Sequence, residues 1–236
     1  MRRWLAALLI GLVIVAPGGA RGALDFDGVD DEVSFGDLGW INGAAALTIS
    51  LWLQLDLVPG TERGWAVKAT GVTNTINCRI NATPALRCYI STVNGIGGTT
   101  LTPGRWYHLA MVYDGGEPTM ELYLDGVRES LTVAGGVWPS TLPSTTANYE
   151  LGNDPGTGGS FVDAKMACHK VWTAALTTSE VTAEAHSCAP RRTQGLRIWT
   201  PLDDGVNARD LSGNAHHGVA AGVIQRGSPP VGYAGD

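Results

Sequence analysis

Hydrophobic and polar residues alternate with a period of two along most of this chain, and glycine, proline and asparagine punctuate the alternation. Leu47, Ile49, Leu51, Leu53 and Leu55 share one face of a segment whose other face carries Thr48, Ser50 and Gln54. That pattern belongs to a half-buried strand. Further strand patterns fall at residues 65–68, 104–114, 120–124, 149–152, 161–172 and 196–202, with a weak one at 218–224. Residues 77–81 and 86–91 flank the turn-prone Ala82-Thr-Pro84 and predict a hairpin. Asp125-Gly126, between Leu124 and Val127, predicts a two-residue hairpin loop. Residues 135–146 and the tail from 229 to 236 read as loose connections.

Only residues 176–185 carry a helical signature, with Thr177 or Thr178 as the cap and Glu180 in the first turn. Many strands with one short surface helix predict an all-β fold of two antiparallel sheets packed face to face.

The start of the chain changes the compartment. Arg2 and Arg3 precede an apolar run from Trp4 to Ala16, too short for a bilayer span, and Pro17-Gly-Gly19 ends it. Residues 1–22 therefore read as a signal peptide, cleaved before Ala23 or, alternatively, after Ala20. The remainder, 23–236, has the size of one large β domain.

Removing the leader, with its three arginines, takes the formal net charge from −6 to −9. That balance excludes a basic footprint for nucleic acid or for anionic lipid, and no later segment is apolar enough to span a membrane. Cys78, Cys88, Cys168 and Cys188 make an even set behind a secretion signal, which favours disulfides over metal ligation. Three connectivities are open. Cys78–Cys88 and Cys168–Cys188 are favoured because each pair brackets a local reversal of the chain.

The densest chemistry lies at 23–35. Asp25, Asp27, Asp30, Asp31 and Glu32 crowd around Gly28 between Phe26 and Phe35. A turn centred on glycine can aim carboxylate and carbonyl oxygens at one point, which suits a hard cation such as calcium. Asp27 would supply a carboxylate and the Asp30 region a carbonyl; otherwise these are solvated turn carboxylates, with Asp31 and Glu32 exposed.

Five blocks in order carry a family resemblance: Leu24-Asp-Phe-Asp-Gly-Val-Asp-Asp-Glu-Val33; Leu47-Thr-Ile-Ser-Leu-Trp52; Trp106-Tyr-His-Leu-Ala110 with Val112-Tyr-Asp114; Glu121-Leu-Tyr-Leu-Asp-Gly-Val127; and Val162-Asp-Ala-Lys-Met166 with Val171-Trp172 and Leu176 to Val181. Together they resemble the laminin G-like domains, a branch of the concanavalin A-like lectin/glucanase sandwiches. The resemblance implies a jelly-roll sandwich over 23–236 that binds calcium in many members and presents glycans or proteins to its loops. It implies Asp163 as a second acidic position completing the metal site with Asp27 and Asp30. Trp199-Thr-Pro-Leu202 and Asp210-Leu-Ser-Gly-Asn-Ala-His-His-Gly218 depart from the order, since in many relatives such a segment precedes the first block. Closure of the same sandwich is favoured over a truncated second unit.

Aromatic platforms for sugars need exposed rings. Trp52, Trp106, Trp172 and Trp199 sit in strand patterns and read as core. Trp40, Trp65 and Trp138 lie in or beside loops and are the candidate ligand-binding residues, with Asn153 and Asp154 adding polar contacts. His108 reads as a buried, hydrogen-bonded core histidine, and Asp210 with His216 and His217 as a polar turn.

No catalytic residue is assigned. Hydrolases on this sandwich carry Glu-x-Asp-x-x-Glu or Glu-x-Asp-x-Glu on one strand, which this chain lacks. Glu121 and Asp125 share parity without a middle acid. The expectation is a secreted, non-catalytic, lectin-like module for glycan or polysaccharide recognition or cell adhesion, with structural calcium. The alternative is a structural or protein-binding component of an extracellular surface or matrix; a glycoside hydrolase is the remaining possibility.

Overall fold

The computed structural model describes residues 22–71, 73–203, 207–222 and 225–227. The signal-peptide reading, the tail from 229 and part of the 218–224 strand pattern lie outside them. The first half of the chain contributes β1 (Ala23–Asp27), β2 (Glu32–Ser34), β3 (Ala46–Leu55), β4 (Arg63–Ala69), β5 (Asn74–Ile80), β6 (Ala85–Ile90), β7 (Val93–Thr100) and β8 (Trp106–Asp114). The second half contributes β9 (Thr119–Leu124), β10 (Val127–Arg128), β11 (Leu131–Ala134), β12 (Glu150–Leu151), β13 (Asp163–Trp172), α1 (Thr178–Glu184), β14 (Leu196–Thr200), β15 (Asn207–Ala208), β16 (Gly218–Ala221) and β17 (Gln225–Gly227).

Two antiparallel sheets result. The eight-stranded sheet runs β10-β9-β8-β3-β13-β1-β17, with β14 also on β13; the nine-stranded sheet runs β11-β7-β6-β5-β4-β12-β2-β16-β15. The expected β-sandwich is therefore the fold, with one short α-helix among the described residues. Leu47, Ile49, Leu51, Leu53 and Leu55 all point into the main core, where they meet Ile76, Cys78, Ile80, Leu86, Cys88 and Ile90 from the facing sheet. Segments after the helix join both sheets: β14 pairs with β13, β16 with β2 and β17 with β1.

Local chemistry explains the turns. Asp125 and Gly126 both adopt positive φ (52° and 77°), as the primed hairpin turn requires, and Val127 pairs with Leu124. Thr177 and Glu180 form a reciprocal capping box at the start of α1. The Asp210 carboxylate accepts from the amides of Trp199, Ser212 and His216, which folds the 210–218 turn.

Strands β7 and β11 escaped the sequence pattern, as did the short β15 and β17. Gly95, Gly97 and Gly98 interrupt the alternation in β7, and short β11 pairs only on it. A Cβ at Gly95 would sit 3.0 Å from Met120 Cε and 3.2 Å from Leu131 Cδ1, so the glycine makes room for side chains crossing above it.

Strand β13 organises the outer face of the eight-stranded sheet. A bulge between Ala167 and Lys170, with Cys168 at φ 56°, breaks its register with β3. Cys168 bonds to Cys188 and Cys78 to Cys88, the favoured connectivity. Lys170 points beneath α1, where its Nζ donates to Glu184 Oε2 at 2.6 Å and to Ser187 O at 2.7 Å. Both side chains are 1% exposed. Around them Ala110, Val112, Tyr123, Trp172, Leu176 and Val181 form a second apolar cluster.

A buried pair is destabilised most by losing one partner. Lys170→Met is expected to lower unfolding stability by about 3–5 kcal/mol. Adding Glu184→Gln should recover much of that loss, because the amide oxygen still accepts from the Arg191 and Arg192 amides that Glu184 Oε1 now holds at 2.8 Å. Urea unfolding midpoints of the three proteins check this.

Candidate functional site

The acidic opening is the crossing between the sheets: β1 lies in one, β2 in the other, and residues 28–31 join them. Asp27 sits opposite Asp163 in the β1–β13 register. Gly28 has φ 76°, and a Cβ there would fall 3.0 Å from Asp163 Cβ, so glycine lets the turn close against β13. Asp27 Oδ1 accepts from the Val29 amide, and Asp31 Oδ2 accepts from the Asp27 amide at 2.9 Å.

Carboxylate oxygens of Asp27, Asp30 and Asp31 lie within 4.8 Å of one another. Asp31 is fully buried, not exposed: Gly152 and Gly222 close over it. Burial and the nearby Asp56 charge raise the pKa of Asp163, with Asp25 and Asp27 adding to the effect. Lys165 bridges Asp56 at 2.5 Å and Asp25 at 3.5 Å. This all-oxygen, carboxylate-rich donor set fits a hard dication. Asp27, Gly28 and Asp163 also line a cleft of about 200 Å³ with Leu57, Val58 and Phe161.

A second constellation covers the outward face of the nine-stranded sheet. Strands β5 and β6 send Cys78 and Cys88 inward and Asn77, Arg79, Arg87 and Tyr89 outward. Register sets Arg79 directly opposite Arg87, and like charges so placed repel. Glu62 resolves the conflict by accepting from Arg79 at 2.6 Å and Arg87 at 2.5 Å. Burial alone would raise its pKa, but the two arginines outweigh that and hold Glu62 below the ordinary carboxylate value. Asp154 pairs with Arg79 at 2.5 Å and accepts from Asn77 Nδ2 at 3.2 Å. Arg87 Nε donates to Asn94, and both guanidiniums lie over the Tyr89 ring, at 5.2 Å and 4.6 Å from its centroid.

Beside this network Asn153 Nδ2 bridges two carboxylates, Glu32 at 2.6 Å and Glu150 at 3.2 Å. Burial, with the Glu32 charge, pushes Glu150 up to about 7.

The structure redistributes the residues singled out above. Trp65 is fully buried in the main core, because β4 includes it, and it offers no ring face. Asn153 and Asp154 are 5% and 0% exposed and engage protein groups. Trp40 is half-buried, with Arg197 at 4.8 Å and the His216 ring at 5.6 Å from its ring. Trp138 is half-buried and borders a groove. His108 is buried and stacks edgewise on Trp52, but, contrary to expectation, its ring nitrogens have no hydrogen-bond partner among the described residues. Burial, then the Lys170 charge, depress His108 to about 3. Glu121 accepts from Tyr123 Oη and pairs with Arg128, while Asp125 accepts from the His108 amide and pairs with Arg105. The residues sequence reasoning missed are Glu62, Asn77, Arg79, Arg87, Tyr89 and Asn94; the parity of β5 and β6 was the available signal.

A family model described as the concanavalin A-like lectin/glucanases superfamily matches residues 27–182. Among solved structures, a proposed carbohydrate binding protein from Bacteroides ovatus ATCC 8483 is similar, with TM-score 0.69 and 19% identity. The match covers 92% of this chain and 62% of that one, so this chain spans less than two thirds of that protein's length. A heptameric SAP-like pentraxin from Limulus polyphemus has TM-score 0.58 and 16% identity, over 91% of this chain and 98% of that one. The CBM40 of a Ruminococcus gnavus IT-sialidase has TM-score 0.51 and 11% identity, over 69% and 95%. At such identities the likeness is one of fold. No curated protein matches the sequence.

Glu150 sets a pH test. Its folded pKa lies above the ordinary 4.5, so its stabilising contribution is full below about 4.5 and is lost as pH rises through about 7. Glu150→Gln should flatten the melting temperature across that window while leaving it nearly unchanged at pH 4; thermal melts from pH 4 to 8 check this.

Proposed function

The chain belongs to the concanavalin A-like lectin/glucanases superfamily, as a laminin G-like domain, and from that premise we propose a secreted, non-catalytic module that binds a glycan or polysaccharide. Its binding surface is the outward face of the nine-stranded sheet. The observation that carries this reading is the network of half-buried Glu62, Arg79, Arg87 and Tyr89, locked before any ligand arrives by their mutual ion pairs and by the buried Asn77 and Asp154 beneath them. Sugar hydroxyls take hydrogen bonds from guanidinium and amide groups and give them to carboxylates, and side chains already held in place lose little entropy on binding.

Calcium at the crossing is part of the proposal, held by Asp27, Asp30 and Asp31 with Asp163 across the strand pair. When bound it would neutralise the carboxylates crowded there and tie β1 to β13. The absence of catalysis is supported by Glu121 and Asp125, both engaged in structural contacts. Secretion is supported by the leader pattern and by two disulfides, which persist in oxidising compartments. An alternative role in binding extracellular proteins draws on Val127, Val133 and Val137, which are 67%, 47% and 82% exposed.

The test is retention of the secreted chain on a polysaccharide and glycan array, with calcium and with chelator. Calcium-dependent retention on a defined sugar is expected, weakened about tenfold by Arg87→Ala or Tyr89→Ala, roughly the loss of one good hydrogen bond to a charged group. Absence of any retention by the folded, disulfide-bonded chain would transfer the assignment to the protein-binding role. Calcium at about 100 times its Kd should add about 2.7 kcal/mol of stability, and Asp27→Asn with Asp31→Asn should abolish that gain. Calorimetric titration and thermal shift read it.

A further inference from the structure

The two sheets meet at two open sides. The acidic crossing lies near one; at the other, edge strands β10 and β11 follow each other in the chain and pass from sheet to sheet. Between them lies a groove of about 550 Å³, within the range of small-ligand sites. Trp138 and Met120 form its apolar floor, and Thr119, Arg128, Glu129 and Ser130 supply polar groups along it.

The floor is set by β7. With no Cβ, Gly95 leaves space for Met120 Cε, Leu131 Cδ1 and Trp138 Cζ2, which would lie 3.0, 3.2 and 3.7 Å from such an atom. The polar wall is fixed as well: Glu129 accepts from the Thr99 amide and hydroxyl, each at 2.9 Å, and Arg128 pairs with Glu121 at 3.0 Å.

We propose that this groove is a second saccharide subsite, separate from the sheet face and specific for neutral sugars, with one pyranose or furanose ring packed on the Trp138 indole. The inference rests on the glycan-binding reading. An indole beside hydroxyl, carboxylate and guanidinium groups matches a sugar, which presents an apolar face and a rim of hydroxyls. Charge selects the neutral class, because Glu121 already compensates Arg128 and Glu129 adds negative charge that opposes an acidic sugar. The polar wall disfavours an apolar peptide strand, although β11 has an open edge. Two subsites on one sheet, one on its outward face and one at its β11 edge, would let a single polysaccharide chain engage the module bivalently.

The test titrates the full secreted chain with cellohexaose, xylohexaose, mannohexaose and arabinohexaose, with 3′-sialyllactose as the acidic comparator, following tryptophan emission and calorimetric affinity. A neutral hexaose is expected to shift the emission and sialyllactose to leave it unchanged. Trp138→Leu keeps the apolar filling and should erase the emission change, weakening binding about tenfold. Trp138→Phe, which preserves an aromatic plug if the leucine variant fails to fold, should erase the change and weaken binding about threefold. Arg87→Ala should leave the Trp138 emission change in place. Normal emission response and affinity in a folded Trp138 variant would overturn the subsite and leave the sheet-face reading standing. Binding of sialyllactose at the groove would overturn the neutral class. Failure of every sugar in the wild type would remove both readings. Self-association in sedimentation, lost in Trp138→Leu without any sugar response, would make the groove an interface between copies and overturn the proposal.

Discussion

A four-residue crossing constrains everything at one end of this sandwich. Facing sheets stand about 10 Å apart, and residues 28–31 must cover that gap while leaving β1 and β2 in register with four neighbours. Asp31 makes the crossing possible by turning its carboxylate back onto the Asp27 amide, closing the turn from within. Space is so short that glycine is required on three sides. Gly28 abuts Asp163, Gly152 lies against Phe26 and Asp31 O, and Gly222 lies over the Asp31 carboxylate and Asp30 O. The same turn that the fold needs for connectivity therefore gathers the carboxylates of Asp27, Asp30 and Asp31 within 4.8 Å of one another.

The sheet face follows a different logic, in which register creates the problem and loops solve it. Antiparallel pairing that brings Cys78 to Cys88 inside must bring Arg79 to Arg87 outside, one residue along. Two guanidiniums in that relation would weaken the pairing. Their counter-charges come from the β3–β4 loop, as Glu62, and from the loop after β12, as Asp154. The network thus fastens two loops to the sheet while leaving a planar, hydrogen-bonding surface. Disulfide and polar face are linked by the alternation of the same two strands.

What could be read from the sequence was whatever depended on neighbours in the chain. The β3 alternation, the Asp125-Gly126 turn, the Thr177–Glu180 cap and the Cys78–Cys88 pairing all rest on local spacing. Most of the candidate site did not. Arg79 and Glu62 are 17 residues apart and Asn77 and Asp154 are 77 apart, so nothing in either local pattern announces their meeting. Asp31 looked like a solvated turn residue because five acids within eight residues suggest water, while its burial follows from where β2 goes. Strand β7 was hidden by glycines whose reason lies in Met120, Leu131 and Trp138, distant in sequence.

The three loop-flanking tryptophans show how topology decides among equal sequence signals. Each sits beside turn residues, yet β4 draws Trp65 into the middle of its sheet, where neighbours on both sides bury it. Trp40 meets Arg197 and His216, contributed by the strands and turns that complete the sandwich late in the chain. Trp138 follows β11, the last strand of its sheet, and at a sheet's edge no further strand exists to cover an indole. A large ring at that position shields the core on one side and borders open solvent on the other. Closing the sandwich and shaping a groove are then a single packing requirement, met by one residue.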